Sequence, residues 1–331
     1  MEKGGISVLG SGSWATALVK ILSESGDTIN WWVNSQEKYD YISDYGRNPK
    51  YLSSAELKIE NIKLTQDIKE AIAISEYLVV VIPSAFLHDC IKDLPLDIFD
   101  GKIIFSSIKG VIPEFDQVPA EYFKKRFNLK YKSIGIIAGP CHAEEIAMQR
   151  LSYLTVACKD TDRAQYIAEK LECRYVKTSF TDDVLGMEIS AVLKNVFAIA
   201  SGICHGLGYG DNFQAVLVSN ALQEISRFVD KKKPIHRDVK SSAYLGDLLV
   251  TAYSQFSRNR TFGTMIGKGY SVRSAKVEMN MVAEGYYAVK SIVAMNEKLE
   301  VDMPITEAVY RILYQNITPV VEMKILTNKL T

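Results

Sequence analysis

The sequence predicts an N-terminal α/β domain with a mostly parallel sheet, followed by an all-α C-terminal domain. Three observations support this fold class. The chain has 331 residues, which is too many for one compact core. Short apolar strand patterns alternate with helical patterns through the first half. Strand patterns nearly vanish after Thr181-Asp182-Asp183, and we therefore expect domains at 1–183 and 184–331.

The first half contains short runs rich in β-branched and aromatic residues, which are typical of strands. These runs lie at 6–9, 28–33, 77–82, 102–107, 133–138, 154–158 and 174–178. Helical patterns separate them at 13–25, 35–45, 66–75, 85–92 and 162–171. Parallel strands need such crossovers, so the alternation predicts a parallel sheet covered by helices on both faces.

The second half carries apolar residues at helical spacing. The predicted helices lie at 187–203, 215–229, 245–256, 282–296 and 304–314. We therefore expect this half to pack helix against helix.

Composition narrows the class of protein. Lys plus Arg and Asp plus Glu each number 39, so the formal net charge is zero and no nucleic-acid partner is expected. The five cysteines are scattered and lack a C-x-x-C pair, which disfavours a disulfide framework or a zinc site. The longest apolar run, 189–210, carries Lys194 and four glycines, so no membrane span is expected. A cytoplasmic protein without a metal fits this pattern.

A glycine motif follows the first strand and opens the first helix. Gly10-Ser11-Gly12-Ser13-Trp14-Ala15 fits G-x-G-x-x-G/A, the dinucleotide-binding fingerprint. Gly10 allows the tight turn, Gly12 lets the backbone approach a pyrophosphate, and Ala15 allows close packing of helix on strand. The helix N-terminus then offers N–H groups to the phosphates.

The residue that selects NAD or NADP should follow the second strand, about 20 residues beyond the fingerprint. That strand ends at Asn34, with no acid before Glu37 and no arginine before Arg47. An acid there would select NAD and an arginine NADP. The sequence therefore indicates mixed use of NAD(H) and NADP(H).

Further candidates lie at strand ends, where ligands of open α/β sheets bind. Lys109-Gly110 follows strand 102–107, and Gly139-Pro140 follows strand 133–138. We expect these motifs to meet at one crevice. For Lys109, the alternative is an ordinary lysine in a surface turn.

Lys194 is the only Asp, Glu, Lys or Arg between Glu188 and Asp211. Burial in this apolar helix would lower the pKa of its ammonium toward neutrality and permit proton exchange with a substrate hydroxyl. The alternative is a lysine that reaches solvent along a domain seam.

A polar cluster follows at Asp247 and at Ser257-Arg258-Asn259-Arg260. Either arginine could hold a phosphate through a bidentate fork, while Asp247 could orient Lys194 or accept from a substrate hydroxyl. Taken alone, the cluster is more simply explained as a capped, salt-bridged helix end.

Together these segments resemble the bacterial-type NAD(P)-dependent glycerol-3-phosphate dehydrogenase family. The matching segments stand in the family's order and span nearly the whole chain. They are VLGSGSWATAL at 8–18, IKG at 108–110, AGPCHAEEIA at 138–147, LKNVFAIASGICHGLGYGDN at 193–212, GDLLVT at 246–251, SRNRTFG at 257–263, VAEG at 282–285 and MPITEAVY at 303–310.

The resemblance implies a Rossmann domain, a helical substrate domain and reversible reduction of dihydroxyacetone phosphate to sn-glycerol 3-phosphate, which supplies glycerophospholipid synthesis. It implies NAD(H) or NADP(H) as the cofactor, with a homodimer as a candidate assembly. Lys194 would be the general acid/base, assisted by Lys109 and Asp247. The implied substrate contacts are Lys109, Gly139, Cys141, Lys194, Asp247, Ser257, Arg258 and Asn259. The implied cofactor contacts are Gly10, Gly12, Ser13, Trp14, Asn34, Lys109, Ala143, Arg258, Val282 and Glu284.

Two residues depart from the family's pattern. Asn34 stands where members often carry His or Arg, which affects the ribose end of the cofactor. Cys141 replaces a Ser or Thr and is a weaker hydrogen-bond donor, so substrate affinity could be lower.

Two other functions remain compatible with the sequence. A hydroxyacid or ketopantoate-type dehydrogenase would share the architecture and the helical lysine, although the arginine cluster favours a phosphorylated substrate. A non-catalytic dinucleotide sensor would bind NAD(P)H and reduce nothing, because a fold does not determine a function.

Overall fold

The fold is described from a computed structural model of the chain, for residues 4–279 and 283–331. The chain forms two compact units. Unit 1 comprises Met1–Ile108 and Pro119–Val184, and unit 2 comprises Lys109–Val118 and Leu185–Thr331.

Unit 1 contains one eight-stranded sheet, in the order β3-β2-β1-β4-β5-β6-β7-β8. Neighbouring strands are parallel except β6 and β7, which are antiparallel. The strands are β1 (Ile6–Leu9), β2 (Ile29–Trp32), β3 (Ile62–Thr65), β4 (Tyr77–Val80), β5 (Ile103–Ser106), β6 (Ile134–Ala138), β7 (Ser152–Cys158) and β8 (Val176–Thr181).

Every residue of the central strands β1, β2, β4, β5 and β6 is buried, which is the pattern of a sheet covered on both faces. The covering helices are partly buried, and α1 is buried at every residue except Trp14. The helices of unit 1 are α1 (Ser13–Ser23), α2 (Gln36–Tyr45), α3 (Ile68–Ala73), α4 (Ser84–Ile91), α5 (Pro119–Arg126), α6 (Ala143–Ala147) and α7 (Thr161–Leu171).

The predicted α/β fold with a mostly parallel sheet is confirmed, and one strand escaped prediction. β3 lies at the edge of the sheet, beyond β2. Its sequence Ile62-Lys63-Leu64-Thr65 is only partly buried, since Lys63 is exposed. A four-residue edge strand buries too little apolar surface to leave a clear sequence signal.

Unit 2 is helical, as expected. Its helices are α8 (Val184–Gly206), α9 (Asp211–Lys232), α10 (Asp247–Tyr253), α11 (Arg258–Gly267), α12 (Val272–Glu278), α13 (Glu284–Asn296), α14 (Pro304–Tyr314) and α15 (Pro319–Thr327). The prediction of one helix at 245–256 is wrong in detail. The structure has a π-helical segment, Ser242–Gly246, followed by a shorter α-helix, α10. The start of α11 was not predicted as a helix either.

Helix α8 is the core of unit 2. Among the described residues it alone is long and apolar enough to cross a membrane, but 94% of its most apolar window is buried inside the protein. α8 and α11 approach closely: a Cβ on Gly202 would lie 2.1 Å from the Arg260 carbonyl oxygen, and one on Gly263 would lie 2.1 Å from that of Ile199. Only glycine fits at this crossing, so the start of α11 is held directly against the helix that carries Lys194.

Segment 109–118, which the sequence analysis assigned to domain 1–183, groups with unit 2. Its backbone is fixed there at two points. Asn195 Nδ2 donates to the Lys109 carbonyl oxygen (2.7 Å), and Ser291 Oγ donates to Asp116 Oδ1 (2.6 Å). Lys109 therefore belongs to the same compact unit as Lys194.

Candidate active site

The fingerprint turn of unit 1 begins directly after buried β1. Gly10 has φ +136°, and a Cβ there would lie 2.8 Å from the Val81 carbonyl oxygen at the end of β4. The Gly10 carbonyl accepts a hydrogen bond from Trp31 Nε1 (2.7 Å). Any side chain at this position would push β1 and β4 apart, so the turn requires glycine.

The N-terminus of α1 fits a dinucleotide pyrophosphate. Gly12 is the N-cap residue, and a Cβ added to it would meet nothing within 4 Å. In the described part of the chain, no side chain caps this end, and the first turn has no acidic residue. The N-terminus of α1 thus offers backbone N–H groups, the positive end of the helix dipole and open space at one place.

Trp14, in the first turn of α1, and Ala143 both belong to unit 1. Trp14 Nε1 donates to Ser107 Oγ (2.6 Å), and Ser107 Oγ donates in turn to the Ile137 carbonyl (3.0 Å). This chain of bonds links the fingerprint helix to the ends of β5 and β6. Ala143 is the first residue of α6 and is buried.

Asn34, at the end of β2, contacts the fingerprint itself. Its Oδ1 accepts from Ser11 Oγ (2.8 Å) and from Lys38 Nζ (2.8 Å). Sequence reasoning looked here for an acid or an arginine and missed Lys38. Its position in the first turns of α2, four residues after Asn34, was the available signal.

In unit 2, Lys194 Nζ donates to Asp247 Oδ1 in a buried ion pair, with both side chains 4% exposed. Burial lowers the pKa of Lys194 to about 7, and the positive charge of Lys109 adds to that effect, while Asp247 opposes it. The lysine is therefore buried and paired, and it does not reach solvent as the alternative interpretation required. An amine with this pKa can both donate and accept a proton at neutral pH.

Asp247 has a second carboxylate oxygen available. Oδ2 is buried and has no hydrogen-bond partner among the residues that the structure describes. A buried carboxylate oxygen without a donor is unfavourable, so this oxygen is suited to accept a hydrogen bond from a substrate hydroxyl. Asp247 begins α10 directly after the π-helical segment Ser242–Gly246, an irregularity that is frequent at functional sites.

The positive charge of Lys109 lowers the pKa of Lys194, so the two ammonium groups lie near each other. Asn195, the neighbour of Lys194 on α8, holds the Lys109 backbone as described above. The two lysines and Asp247 thus form a compact group in unit 2, with two cationic side chains and one carboxylate.

The cluster 257–260 starts a helix. Ser257 is the N-cap of α11 and accepts from the Arg260 backbone N–H (3.3 Å), so the interpretation as a capped helix end was partly right. Asn259 Oδ1 accepts from the Gly285 N–H (2.9 Å), which leaves its Nδ2 to donate to a ligand. Arg258 is partly exposed, and Glu284 begins α13.

The structure sorts the predicted site residues between the two units. Unit 1 holds Gly10, Gly12, Ser13, Trp14, Asn34, Gly139, Cys141 and Ala143. Unit 2 holds Lys109, Lys194, Asp247, Ser257, Arg258, Asn259 and Glu284. Val282 was predicted to contact the cofactor and lies outside the described residues. Within the described ranges, no group of three or more His, Cys, Asp or Glu side chains could hold a metal ion.

Comparison with known proteins gives matches across the chain. The family models for the N-terminus and the C-terminus of NAD-dependent glycerol-3-phosphate dehydrogenase match residues 5–164 and 183–324. The chain is 31% identical over 325 residues to a glycerol-3-phosphate dehydrogenase [NAD(P)+] of Staphylococcus carnosus, covering 98% of each chain. It is 34% identical over 314 residues to the Staphylococcus aureus (strain JH9) enzyme of the same name, covering 95% of this chain and 94% of that one. The crystal structure of glycerol-3-phosphate dehydrogenase from Coxiella burnetii superposes with a TM-score of 0.90 at 28% identity, covering 98% and 99%.

Proposed function

The chain belongs to the NAD-dependent glycerol-3-phosphate dehydrogenase family, and we propose that it reduces dihydroxyacetone phosphate reversibly to sn-glycerol 3-phosphate with Lys194 as the general acid/base. NADH or NADPH is the cofactor. One observation carries the assignment of Lys194: its amine is buried against Asp247, whose Oδ2 has no partner in the described part of the chain. The product then serves glycerophospholipid synthesis.

The proton transfer follows from the state of Lys194. When bound, the reduced nicotinamide supplies a hydride to the carbonyl carbon of the substrate. Negative charge develops on the carbonyl oxygen, and the Lys194 ammonium donates a proton to it, which leaves a hydroxyl and a neutral amine. Asp247 Oδ1 orients Lys194 through their ion pair. In the reverse reaction the neutral amine accepts the hydroxyl proton.

Substrate binding falls to the polar groups of unit 2. Asp247 Oδ2 can accept from the free hydroxyl of the substrate, which would satisfy that buried oxygen. Arg258 offers a planar fork for the phosphate dianion, and Asn259 Nδ2 and Ser257 lie beside it in the chain. Lys109 adds a second positive charge near Lys194. Gly139 and Cys141 are further proposed substrate contacts. Phosphate binding remote from the carbonyl positions the reacting carbon.

The dinucleotide is assigned to unit 1. The open N-terminus of α1 at Gly12 would hold the pyrophosphate, with Ser13 beside it and Gly10 shaping the turn. Trp14, Ala143 and Asn34 of the same unit are proposed as further contacts.

The direct test is the loss of reduced-nicotinamide absorbance with dihydroxyacetone phosphate, measured separately with NADH and NADPH. We expect rapid oxidation that depends on the phosphorylated substrate, with dihydroxyacetone and ketopantoate as poor substrates. Oxidation with ketopantoate in place of the phosphorylated ketone would favour the alternative dehydrogenase. Cofactor binding without any oxidation would favour a sensor.

The pKa of about 7 at Lys194 predicts opposite pH profiles for the two directions. Reduction needs the ammonium form, so its kcat/KM should fall as pH rises through about 7. Oxidation of glycerol 3-phosphate needs the neutral amine, so its kcat/KM should rise over the same interval. Initial rates measured between pH 5.5 and 9 give the pH dependence of kcat/KM for each direction. Parallel profiles in the two directions would contradict the assignment of Lys194.

We further propose a cytoplasmic homodimer. The five cysteines form no disulfide, which suits a reducing compartment. In α15, Val320, Val321 and Ile325 are 59%, 52% and 46% exposed, and such an apolar face suits contact with a second copy. Sedimentation of the purified chain distinguishes a dimer from a monomer.

A further inference from the structure

Lys38 is a buried cation beside the fingerprint turn. The residue is 8% exposed, and its Nζ donates to Ser11 Oγ (2.9 Å) and to Asn34 Oδ1 (2.8 Å). Ser11 Oγ in turn donates to Asn34 Oδ1 (2.8 Å). These three side chains, which we call the Lys38 triangle, join the start of α2, the end of β2 and the middle residue of Gly10-Ser11-Gly12.

No carboxylate forms an ion pair with Lys38 within the described ranges, although the charge of Glu37 partly offsets the effect of burial on the pKa of Lys38. Glu37, the adjacent acid, instead pairs with Lys50 at 3.3 Å, and both of those side chains are largely exposed. Burial lowers the pKa of Lys38, and the positive charge of Lys50 lowers it further. A buried ammonium without an anionic partner is costly, so the position is better explained by an anionic ligand.

The surroundings of the Lys38 triangle are rigidly built. Asn48 is fully buried, and its Nδ2 donates to the Ser11 carbonyl (3.2 Å) and to Thr16 Oγ1 (2.8 Å). Its Oδ1 accepts from the backbone N–H groups of Lys50 (3.1 Å) and Tyr51 (3.2 Å). The segment after α2 is thereby fixed against the fingerprint.

The Lys38 triangle presents donors to a ligand. A lysine ammonium has three N–H groups, and Ser11 and Asn34 use two of them, which leaves one. Asn34 is exposed with its Oδ1 already engaged, so its amide N–H₂ is what it can offer. A free ribose hydroxyl is usually recognised by a carboxylate acceptor at this position, whereas a phosphate needs donors and positive charge.

We propose that Lys38, held by Ser11 and Asn34, binds the 2′-phosphate of NADP(H), so that this chain binds NADP(H) more tightly than NAD(H). The proposal rests on the proposed placement of the dinucleotide at the fingerprint of unit 1. In this chain the cation for the 2′-phosphate is a lysine in the first turn of α2, not an arginine directly after β2. Asn34 holds that lysine in place through a hydrogen bond.

The test is calorimetric titration of the purified chain with NADP+ and NAD+, without substrate. We expect NADP+ to bind at least about tenfold more tightly, since a charge-assisted contact is worth that factor or more. Lys38→Met removes the charge and keeps the aliphatic stem; it should abolish the preference and leave NAD+ affinity within about twofold of wild type. Lys38→Arg should keep most of the preference. Lys63→Met, at an exposed lysine of β3, removes the same charge and should change neither affinity.

Competition by adenosine 2′-monophosphate and adenosine 5′-monophosphate gives a measurement on the wild type alone. Adenosine 2′-monophosphate should compete better, and its advantage should shrink as salt rises. Equal binding of NADP+ and NAD+ by the wild type would overturn this proposal and leave the proposed function standing. Equal weakening of both by Lys38→Met would also overturn it, since that result indicates a structural lysine. Failure of both cofactors to bind would overturn the dinucleotide site as well.

Discussion

Replacing Lys194 with alanine is expected to lower kcat for dihydroxyacetone phosphate reduction by about 10³-fold or more. General acid/base catalysis by one side chain typically accounts for a factor of about 10² to 10⁴. The variant removes the buried amine that is proposed to donate a proton to the developing alkoxide, and it removes positive charge next to that oxygen. The loss should appear in both reaction directions, because the same amine accepts the proton in the reverse reaction. Steady-state rates with saturating cofactor measure it.

Binding measurements separate a catalytic role of Lys194 from a structural one. Cofactor affinity, followed by calorimetry or nicotinamide fluorescence, should stay near the wild-type value because the fingerprint lies in unit 1. Lys298→Ala, at an exposed lysine of the same unit, is the matched control and should leave turnover unchanged. Near-normal turnover in Lys194→Ala would show that another group supplies the proton.

The second large effect is expected for Asp247→Asn. The variant removes the carboxylate that raises the pKa of Lys194, so burial and Lys109 would lower that pKa further. At pH 7 most Lys194 would then be neutral, and reduction should be slowed by at least about fivefold, because a drop of one pKa unit from about 7 lowers the protonated fraction from about one half to about one eleventh. The pH at which the reduction rate falls should move to a more acidic value.

The same substitution tests stability. Breaking a buried ion pair usually costs about 3–5 kcal/mol, but Lys194 can lose its proton, so we expect a loss of at most about 3 kcal/mol in the free energy of unfolding. Urea unfolding of the variant and the wild type measures it. Asp302→Asn, in the exposed pair with Arg227, is the control and should cost less than about 1 kcal/mol. The pH experiment has its own contradicting outcome. If the pH at which the reduction rate falls were unchanged or higher in Asp247→Asn, Asp247 would not raise the pKa of Lys194.

Several features of this protein were determined by the sequence alone. The fingerprint directly after β1 indicated both the β-α turn and its ligand class, because the tight turn needs a positive φ (+136° at Gly10), which glycine adopts without strain. The α/β alternation and the later helices follow from local periodicity, so the fold class was predictable. The isolation of Lys194 in a long apolar run indicated either a buried lysine or one that reaches solvent along a domain seam, and the structure shows the buried one.

Other features were decided by tertiary structure. Local pattern cannot show that Lys194 meets Asp247, 53 positions later, or that Asp247 Oδ2 is left without a described partner. It also cannot show that segment 109–118 groups with unit 2. Lys38 looked like one more charged residue of a polar helix, and only the approach of Ser11 and Asn34 makes it a buried, fixed cation. The physical reason is common to all of these: burial and pairing depend on contacts between distant segments, whereas periodicity and glycine geometry are local.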